Sequence, residues 1–434
     1  MKKLYKFPLR QHIGSPSIPV VKEGDKVLRG QLIAKMPEEM LGSNLYSSVN
    51  GTIEEISDIT INIAIDDNQP SDYEKLKSKG ALELIKESGL VGLGGAGFPT
   101  YAKLQKPFDK DGGTIIINAA ECEPILNHNI DSIENDPLPM IKGLKIAMEI
   151  TNADKGIIAI KEKHTDAIKK VKEAIKDEEN IDLFELIDLY PMGEERALIR
   201  EIKDVLLEVT DLPFVADSIV LNEETASKIY EAVELKKPLI DKDITVAGKL
   251  KDGLIHVLHN VPLGISVEGV FDLIGGIGDE YGEIIMGGPF TGKRTHLEDP
   301  IVKTTGGLIA AESFWSGPEK LGLLVCACGA DEARLKEMAA SMGSEVAGIE
   351  YCKQAIEMKN GTYKCENPGR CPGQVEKVLK LKKAGAQALL VSNCTDCTNT
   401  VMTCAPPLKL PVYHNTDGAL RAVNHKLVRK MKSH

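Results

Sequence analysis

Cysteines are the residues here with the greatest capacity for chemistry, and they are unevenly spread. Of nine, Cys122 stands alone and reads as a small buried residue; Cys326, Cys328, Cys352, Cys365, Cys371, Cys394, Cys397 and Cys404 fall in one stretch of the last quarter. Clustered thiols in a chain read as cytoplasmic point to metal or redox chemistry rather than structural disulfides. Two readings stay open. Cys326, Cys328, Cys352, Cys365, Cys371 and Cys404 are candidate metal ligands, because an iron–sulfur cluster needs four convergent thiolates. Cys394 and Cys397, spaced C-x2-C after the apolar run Leu389-Leu390-Val391, are the candidate catalytic pair of a redox dithiol. A helix N-terminus there would lower one thiol pKa and favour exchange. The spacing fits metal and redox work equally.

A second group is built for an anionic ligand. Gly92-Leu93-Gly94-Gly95-Ala96-Gly97-Phe98-Pro99-Thr100 contains G-x-G-x-x-G. The dinucleotide form of that motif follows a strand, but residues 81–88 read as helix, so the ordinary Rossmann reading fails. The physics of the loop survives. Without side chains, backbone N–H groups can approach a phosphate, and a helix starting near Thr100 would add its positive end. Lys103, one turn in, can pair with the same phosphate. Asn118-Ala119-Ala120-Glu121-Cys122-Glu123-Pro124 follows an apolar strand, Thr114-Ile115-Ile116-Ile117, and strand ends are where α/β units hold ligands. Asn118 can bond a heteroaromatic or ribose edge. Glu121 and Glu123 would add negative charge beside a redox ligand, or be solvated loop charges. Tyr190-Pro191-Met192-Gly193-Glu194-Glu195 and Asn222-Glu223-Glu224-Thr225 complete the set.

The elements that must position these groups change character along the chain. Residues 1–65 read as a small β domain of short strands and Gly- or Asn-bearing turns, and 66–70 as a polar linker. Residues 70–235 alternate helices (82–88, 139–150, 165–175) with strands (114–118, 156–160), which is an α/β domain. Residues 236–315 return to strands and Gly-rich turns. Residues 318–434 form a compact α/β unit with strands at 323–325 and 388–391 and helices at 331–342 and 375–383. The fold class is α/β multidomain.

Composition narrows the function. The chain has 434 residues, 42% of them hydrophobic, 4% aromatic, and a formal net charge of −11. That acidity and the scarcity of stacking residues argue against nucleic acid as a partner. A basic C-terminal group, Arg421, Lys426, Arg429, Lys430 and Lys432, reads as a solvated helix end or a docking surface for an acidic partner. No apolar run approaches the ~18 residues of a membrane span. The start has charge but no apolar region behind it, so it is read as no signal peptide and the protein as cytoplasmic.

The glycine loop together with Asn-Ala-Ala-Glu-Cys-Glu-Pro resembles the flavin subunit of respiratory complex I and, more closely, the RnfC family. Pro8-Leu9-Arg10-Gln11-His12-Ile13-Gly14 and residues 24–31 are similar to the RnfC barrel-sandwich hybrid domain; Gly287-Gly288-Pro289 and Val302-Lys303-Thr304-Thr305 are similar to its β-grasp (SLBB) region. The resemblance implies non-covalent FMN, with NADH passing hydride to it. It implies that Gly92, Gly94, Gly95, Gly97 and Lys103 hold the FMN phosphate and ribityl chain. Asn118, Tyr190, Gly193, Glu194, Asn222 and Thr225 would line the flavin. Phe98 would stack on the NADH adenine, and Glu121, Glu123 and Glu195 would face the NADH or the flavin ring. Leu93 and Ala120 stand where the complex I type has Arg and Asp. The ferredoxin run C-x2-C-x2-C-x3-C-P of RnfC proper is missing, which argues against a membrane Rnf subunit. Residues 393–402 resemble instead the proline reductase-associated electron-transfer proteins of amino-acid-fermenting clostridia, which implies D-proline reductase as the electron acceptor. The competing class is an RnfC-like scaffold without flavin, acting as an adaptor or metal-binding module.

Overall fold

The structure is a computed structural model and describes residues 3–109 and 112–429. Lys430 and Lys432 of the basic C-terminal group lie outside the described residues. Two other members of that group are engaged. Arg421 lies over the Trp315 ring at 3.7 Å, and Arg429 forms a bidentate pair with Asp417.

Residues 4–65 form two small antiparallel sheets. One runs Leu4–Pro8, Thr60–Ile65, Gly51–Ile56, Lys26–Val27; the other runs Ile18–Pro19, Leu32–Lys35, Leu45–Tyr46. Alternation drives the packing: Phe7, Ile53, Ile61 and Ile63 point inward and are at most 1% exposed. Residues 81–234 follow as an α/β layer. Its sheet is wholly parallel, in the order Ile181–Leu186, Lys155–Lys161, Thr114–Ala119, Ser218–Asn222. The chain runs outward from Thr114–Ala119 to one side, then crosses to Ser218–Asn222 on the other. That creates a topological switch point between those two strands, the usual place for a ligand crevice. Asn118 and Asn222 are register partners there.

A third unit is a mixed five-stranded sheet, in the order His256–Pro262, Asp241–Gly248, Gly307–Ala311, Glu283–Met286, Lys293–Thr295, with the helix Val267–Leu273. One continuous apolar core runs through these three units. Lys303 ties them as well: wholly buried, it donates to Ser43 Oγ (2.9 Å), Asn44 O (2.6 Å) and Gly89 O (2.8 Å). Burial pulls its pKa down to about 7.

The C-terminal unit has cores of its own. Its parallel sheet runs Glu345–Tyr351, Lys320–Val325, Ala388–Val391, Val412–His414. A second switch point falls between Lys320–Val325 and Ala388–Val391. Cys326 and Cys394 lie just beyond the ends of those strands.

Lys242 and Glu224 form an ion pair with side chains 1% and 4% exposed, and Glu224 also accepts the Asp243 N–H at 2.9 Å. The pair joins the helix Glu223–Glu234 to the third sheet. Lys242→Met leaves a buried carboxylate uncompensated, and the expected cost is about 3–5 kcal/mol. The urea midpoint of the flavin-free protein should fall accordingly. Lys242→Met combined with Glu224→Leu should recover most of the loss; a double variant as unstable as the single one would contradict this account.

Candidate functional site: a glycine-loop cavity beside a thiol array

The first switch point opens into a cavity of about 720 Å³, within the roughly 300–1,000 Å³ of small-molecule sites. Gly94, Gly95, Asn118, Glu121, Glu123, Gly193 and Asn222 line it, so all four sequence clusters reach one place. The third sheet closes the far side with Gly287, Gly288, Thr291 and Thr304.

Each loop is held by a specific bond. The glycine loop closes on itself through Gly92 N–H to Phe98 O at 2.9 Å. Thr225 Oγ1 accepts the Leu93 N–H at 3.0 Å. Asn222 caps the helix Glu223–Glu234, accepting from Thr225 N. Gly94 has to be glycine, because a Cβ there would lie 2.7 Å from the Asn222 amide. Gly97, at φ +72°, packs on the N-terminal unit, with Gln11 O and His12 Cα both 3.2 Å from where a Cβ would be. Gly95 is different: a Cβ there would meet nothing within 4 Å. Asn118 donates to Gly193 O at 2.8 Å and accepts from Ala120 N at 3.2 Å.

The remaining candidates have other partners. Lys103 sits in the short helix Thr100–Leu104, and its ammonium bonds Glu195 Oε1 (2.9 Å) and Val220 O (3.1 Å). Glu194 caps the helix Glu195–Lys203, accepting from the N–H groups of Arg196 and Ala197. Phe98, half-buried, is not among the residues lining the cavity. Glu123 accepts from Phe290 N (2.7 Å), Thr291 N (2.9 Å) and Thr291 Oγ1 (2.6 Å). Burial nonetheless pushes its carboxyl up. Glu121, at φ 38°, accepts the Asn129 N–H at 2.8 Å.

Tyr190 turns away from the cavity. It is buried against Phe290, ring centroids 3.7 Å apart and planes 3° apart, and its hydroxyl donates to Cys328 O at 2.5 Å. It lines a second cleft of about 1,480 Å³ instead. Glu121, Cys122 and Glu123 line both spaces and form the wall between them. Sequence reasoning passed over Cys122, Phe290 and Gln374. Only the position of Cys122 between two acids at a strand end offered a signal; the contacts of the other two are tertiary.

Behind Tyr190 and Phe290 the thiols gather. Cys326, Cys328, Cys352, Cys365, Cys394 and Cys397 are buried in one group, with Cys122 and Cys371 packed on it. One buried side-chain amide, that of Gln374, reaches three of them, Cys352 at 3.0 Å, Cys371 at 3.4 Å and Cys397 at 3.6 Å. Cys404 is not brought in. It lies two helical turns beyond Cys397, in a separate apolar cluster, and donates to Thr400 O and Val401 O. Cys394 is the N-cap of the helix Thr395–Cys404, and Cys397 sits in its first turn. Bonds from Cys326 and then Cys397 hold the Cys394 thiol well below its ordinary range. A bond from Cys397 brings Cys371 down to about 6. Among the described residues, no group of three or more His, Cys, Asp or Glu side chains is arranged to hold a metal ion. Among them too, no helix is long and apolar enough to cross a membrane.

A family model described as the Nuo51 FMN-binding domain matches residues 85–231, and one described as the RnfC barrel sandwich hybrid domain matches residues 1–68. The C component of the proton-translocating ferredoxin:NAD(+) oxidoreductase complex of Clostridium ljungdahlii is 33% identical over 323 residues, covering 70% of this chain and 69% of that one. The corresponding component of the Na(+)-translocating ferredoxin:NAD(+) oxidoreductase complex of Acetobacterium woodii is 31% identical over 321 residues, with 70% and 72% covered. The cobalamin reductase PduS of Salmonella typhimurium is 35% identical over 228 residues, with 52% and 49% covered.

Proposed function

The chain belongs to the RnfC family, and from that premise we propose that it oxidises NADH and relays the electrons through its thiol array to a partner reductase. One observation carries the reading: Cys122 lines the glycine-loop cavity and also packs on the thiol array, together with Tyr190 and Phe290. The cavity residues fit FMN. The volume suits a small ligand, Gly95 faces open space, and Asn118 and Asn222 stand at the switch point. When bound, FMN supplies a two-electron acceptor for the nicotinamide hydride.

The chain's own residues do the rest. Thr225 and Asn222 fix the glycine loop, so its N–H groups are set before a phosphate arrives. Asn118 and Gly193 hold the cavity floor. Glu121 uses one oxygen on Asn129 N–H and has the other available to a ribose or carboxamide. Glu123 anchors the 290–291 backbone and so fixes the aromatic pair beside the thiols. Cys394 and Cys397 serve as the receiving dithiol, with the first at a helix N-cap that favours its thiolate. Residues 1–65 act as the barrel-sandwich hybrid domain, 70–235 as the FMN/NADH domain, 236–315 as an SLBB-like β-grasp domain and 318–434 as the Cys-rich redox domain. On the resemblance of residues 393–402, the acceptor is D-proline reductase.

The test is an anaerobic preparation assayed for flavin, iron and sulfide, with absorption spectra before and after NADH. The expected result is released FMN and bleaching of the flavin band by NADH. Four or more iron and sulfide per chain would replace the dithiol by an iron–sulfur cluster. A colourless protein that releases no flavin would overturn the reading.

A further inference from the structure

In the thiol array, six sulfurs are buried and two, Cys122 and Cys371, are half-exposed, Cys371 being the one that the C-terminal unit itself supplies. Cys371 lies between the strand Tyr363–Cys365 and the helix Val375–Lys383, and its Sγ shares the Gln374 side-chain amide with Cys397 Sγ. Two N–H groups face its Sγ, Gly373 N at 3.3 Å and Gln374 Nε2 at 3.4 Å, and Thr400 Oγ1, whose own hydrogen goes to Cys397 O, stands 3.2 Å away. Its backbone N–H is pinned by Asp396 Oδ2 at 2.8 Å. Gln374 is fully buried, and its amide nitrogen spans three sulfurs, Cys352 at 3.0 Å, Cys371 at 3.4 Å and Cys397 at 3.6 Å. Its Oε1 has no partner among the described residues. The buried Gln374 amide thus links the Cys371 and Cys397 sulfurs, of which Cys371 is the more accessible.

We propose that Cys371 and Cys397 form a thiol–disulfide exchange site for an external disulfide, with Cys371 as the attacking sulfur and Cys397 as the resolving one. The Cys371 thiolate attacks one sulfur of the incoming disulfide. That S–S bond breaks, and the other sulfur leaves as a thiolate that takes a proton from water. Cys397 then gives its proton to water and attacks Cys371 Sγ. The mixed disulfide breaks, the second substrate sulfur leaves and is protonated, and a Cys371–Cys397 disulfide remains. Two electrons have passed to the substrate. Return of the pair to the dithiol uses NADH-derived electrons and rests on the function proposed above; the exchange itself does not. Cys404, the other half-exposed thiol of this unit, packs in a cluster that holds no second cysteine among the described residues, so it is an internal control.

The test uses the full chain, reduced chemically and freed of reductant and flavin, with no NADH. The probes are oxidised glutathione and a disulfide-closed peptide. In the unmodified protein, peptide mass mapping should find a Cys371–Cys397 disulfide. In Cys397→Ser the mixed disulfide should persist on Cys371. In Cys371→Ser, release of the first thiol should slow at least tenfold. Reaction with the peptide alone would mark a protein disulfide as the substrate; reaction with both would admit small disulfides. A persistent adduct on another cysteine of the array, or an unchanged rate in Cys371→Ser, would overturn the proposal. Should Cys371→Ser fail to fold, first alkylation by iodoacetamide in the native unmodified protein decides the matter: Cys371 must lead the buried thiols. Bleaching by NADH alongside a silent Cys371 would sink this inference and leave the proposed function standing; the converse would do the reverse.

Discussion

Gly95→Leu is expected to abolish FMN retention without weakening the fold. The reason lies in what surrounds that position. A Cβ on Gly95 meets nothing within 4 Å, and the residue is exposed on the wall of the glycine-loop cavity. Its backbone is not in the left-handed region, so leucine can adopt the same conformation. The added side chain therefore takes up ligand space and no protein space. FMN affinity should fall more than tenfold, which is about 1.4 kcal/mol or more. The flavin-free protein should stay within about 0.5 kcal/mol of the original, as for other surface substitutions. Gly97→Ala makes the contrast. It forces a side chain into a positive-φ position and against the Gln11 carbonyl, so it should destabilise the protein whether or not flavin is present. Equilibrium dialysis of FMN and urea unfolding of both flavin-free variants would check this. Full FMN retention in Gly95→Leu would remove the glycine loop from the flavin site.

The second large effect belongs to Cys394. Cys394→Ser should leave NADH-driven flavin bleaching at its normal rate and cut transfer to the acceptor by roughly a hundredfold or more, since a hydroxyl cannot replace an attacking thiolate. The site geometry separates the two steps. Cys394 is buried in the array behind Tyr190 and Phe290, whereas the cavity is built from the glycine loop, Asn118, Gly193 and Asn222. Stopped-flow traces of flavin reduction, followed by acceptor reduction under the same anaerobic conditions, would read the two steps independently. Unchanged onward transfer in the variant would exclude Cys394 from the path.

Local chemistry made several elements legible. The helix expected at 82–88 is Ala81–Glu87, and that at 165–175 is Thr165–Ala174. The strand expected at 388–391 is Ala388–Val391. Apolar periodicity and capping residues act over one or two turns, so a sequence displays them directly. Tyr190 was not legible in this way. Its neighbours in sequence, Gly193 and Glu194, belong to the cavity wall and a helix cap, yet its own ring is drawn off by Phe290, a hundred positions away. Lys103 lies one turn past the glycine loop, as its spacing implies, but its ammonium is engaged by Glu195.

By itself the sequence determined that eight thiols stand close along the chain and that Cys394 and Cys397 are spaced C-x2-C after an apolar run. Which thiols meet was decided only by the tertiary structure. In a parallel sheet, the ends of strands far apart in sequence arrive at one edge. Cys326 follows Lys320–Val325, Cys352 follows Glu345–Tyr351 and Cys394 follows shortly after Ala388–Val391, so these three converge although up to 68 positions separate them. Cys404, only seven positions from Cys397, is carried about 10 Å along the helix axis and out of the group.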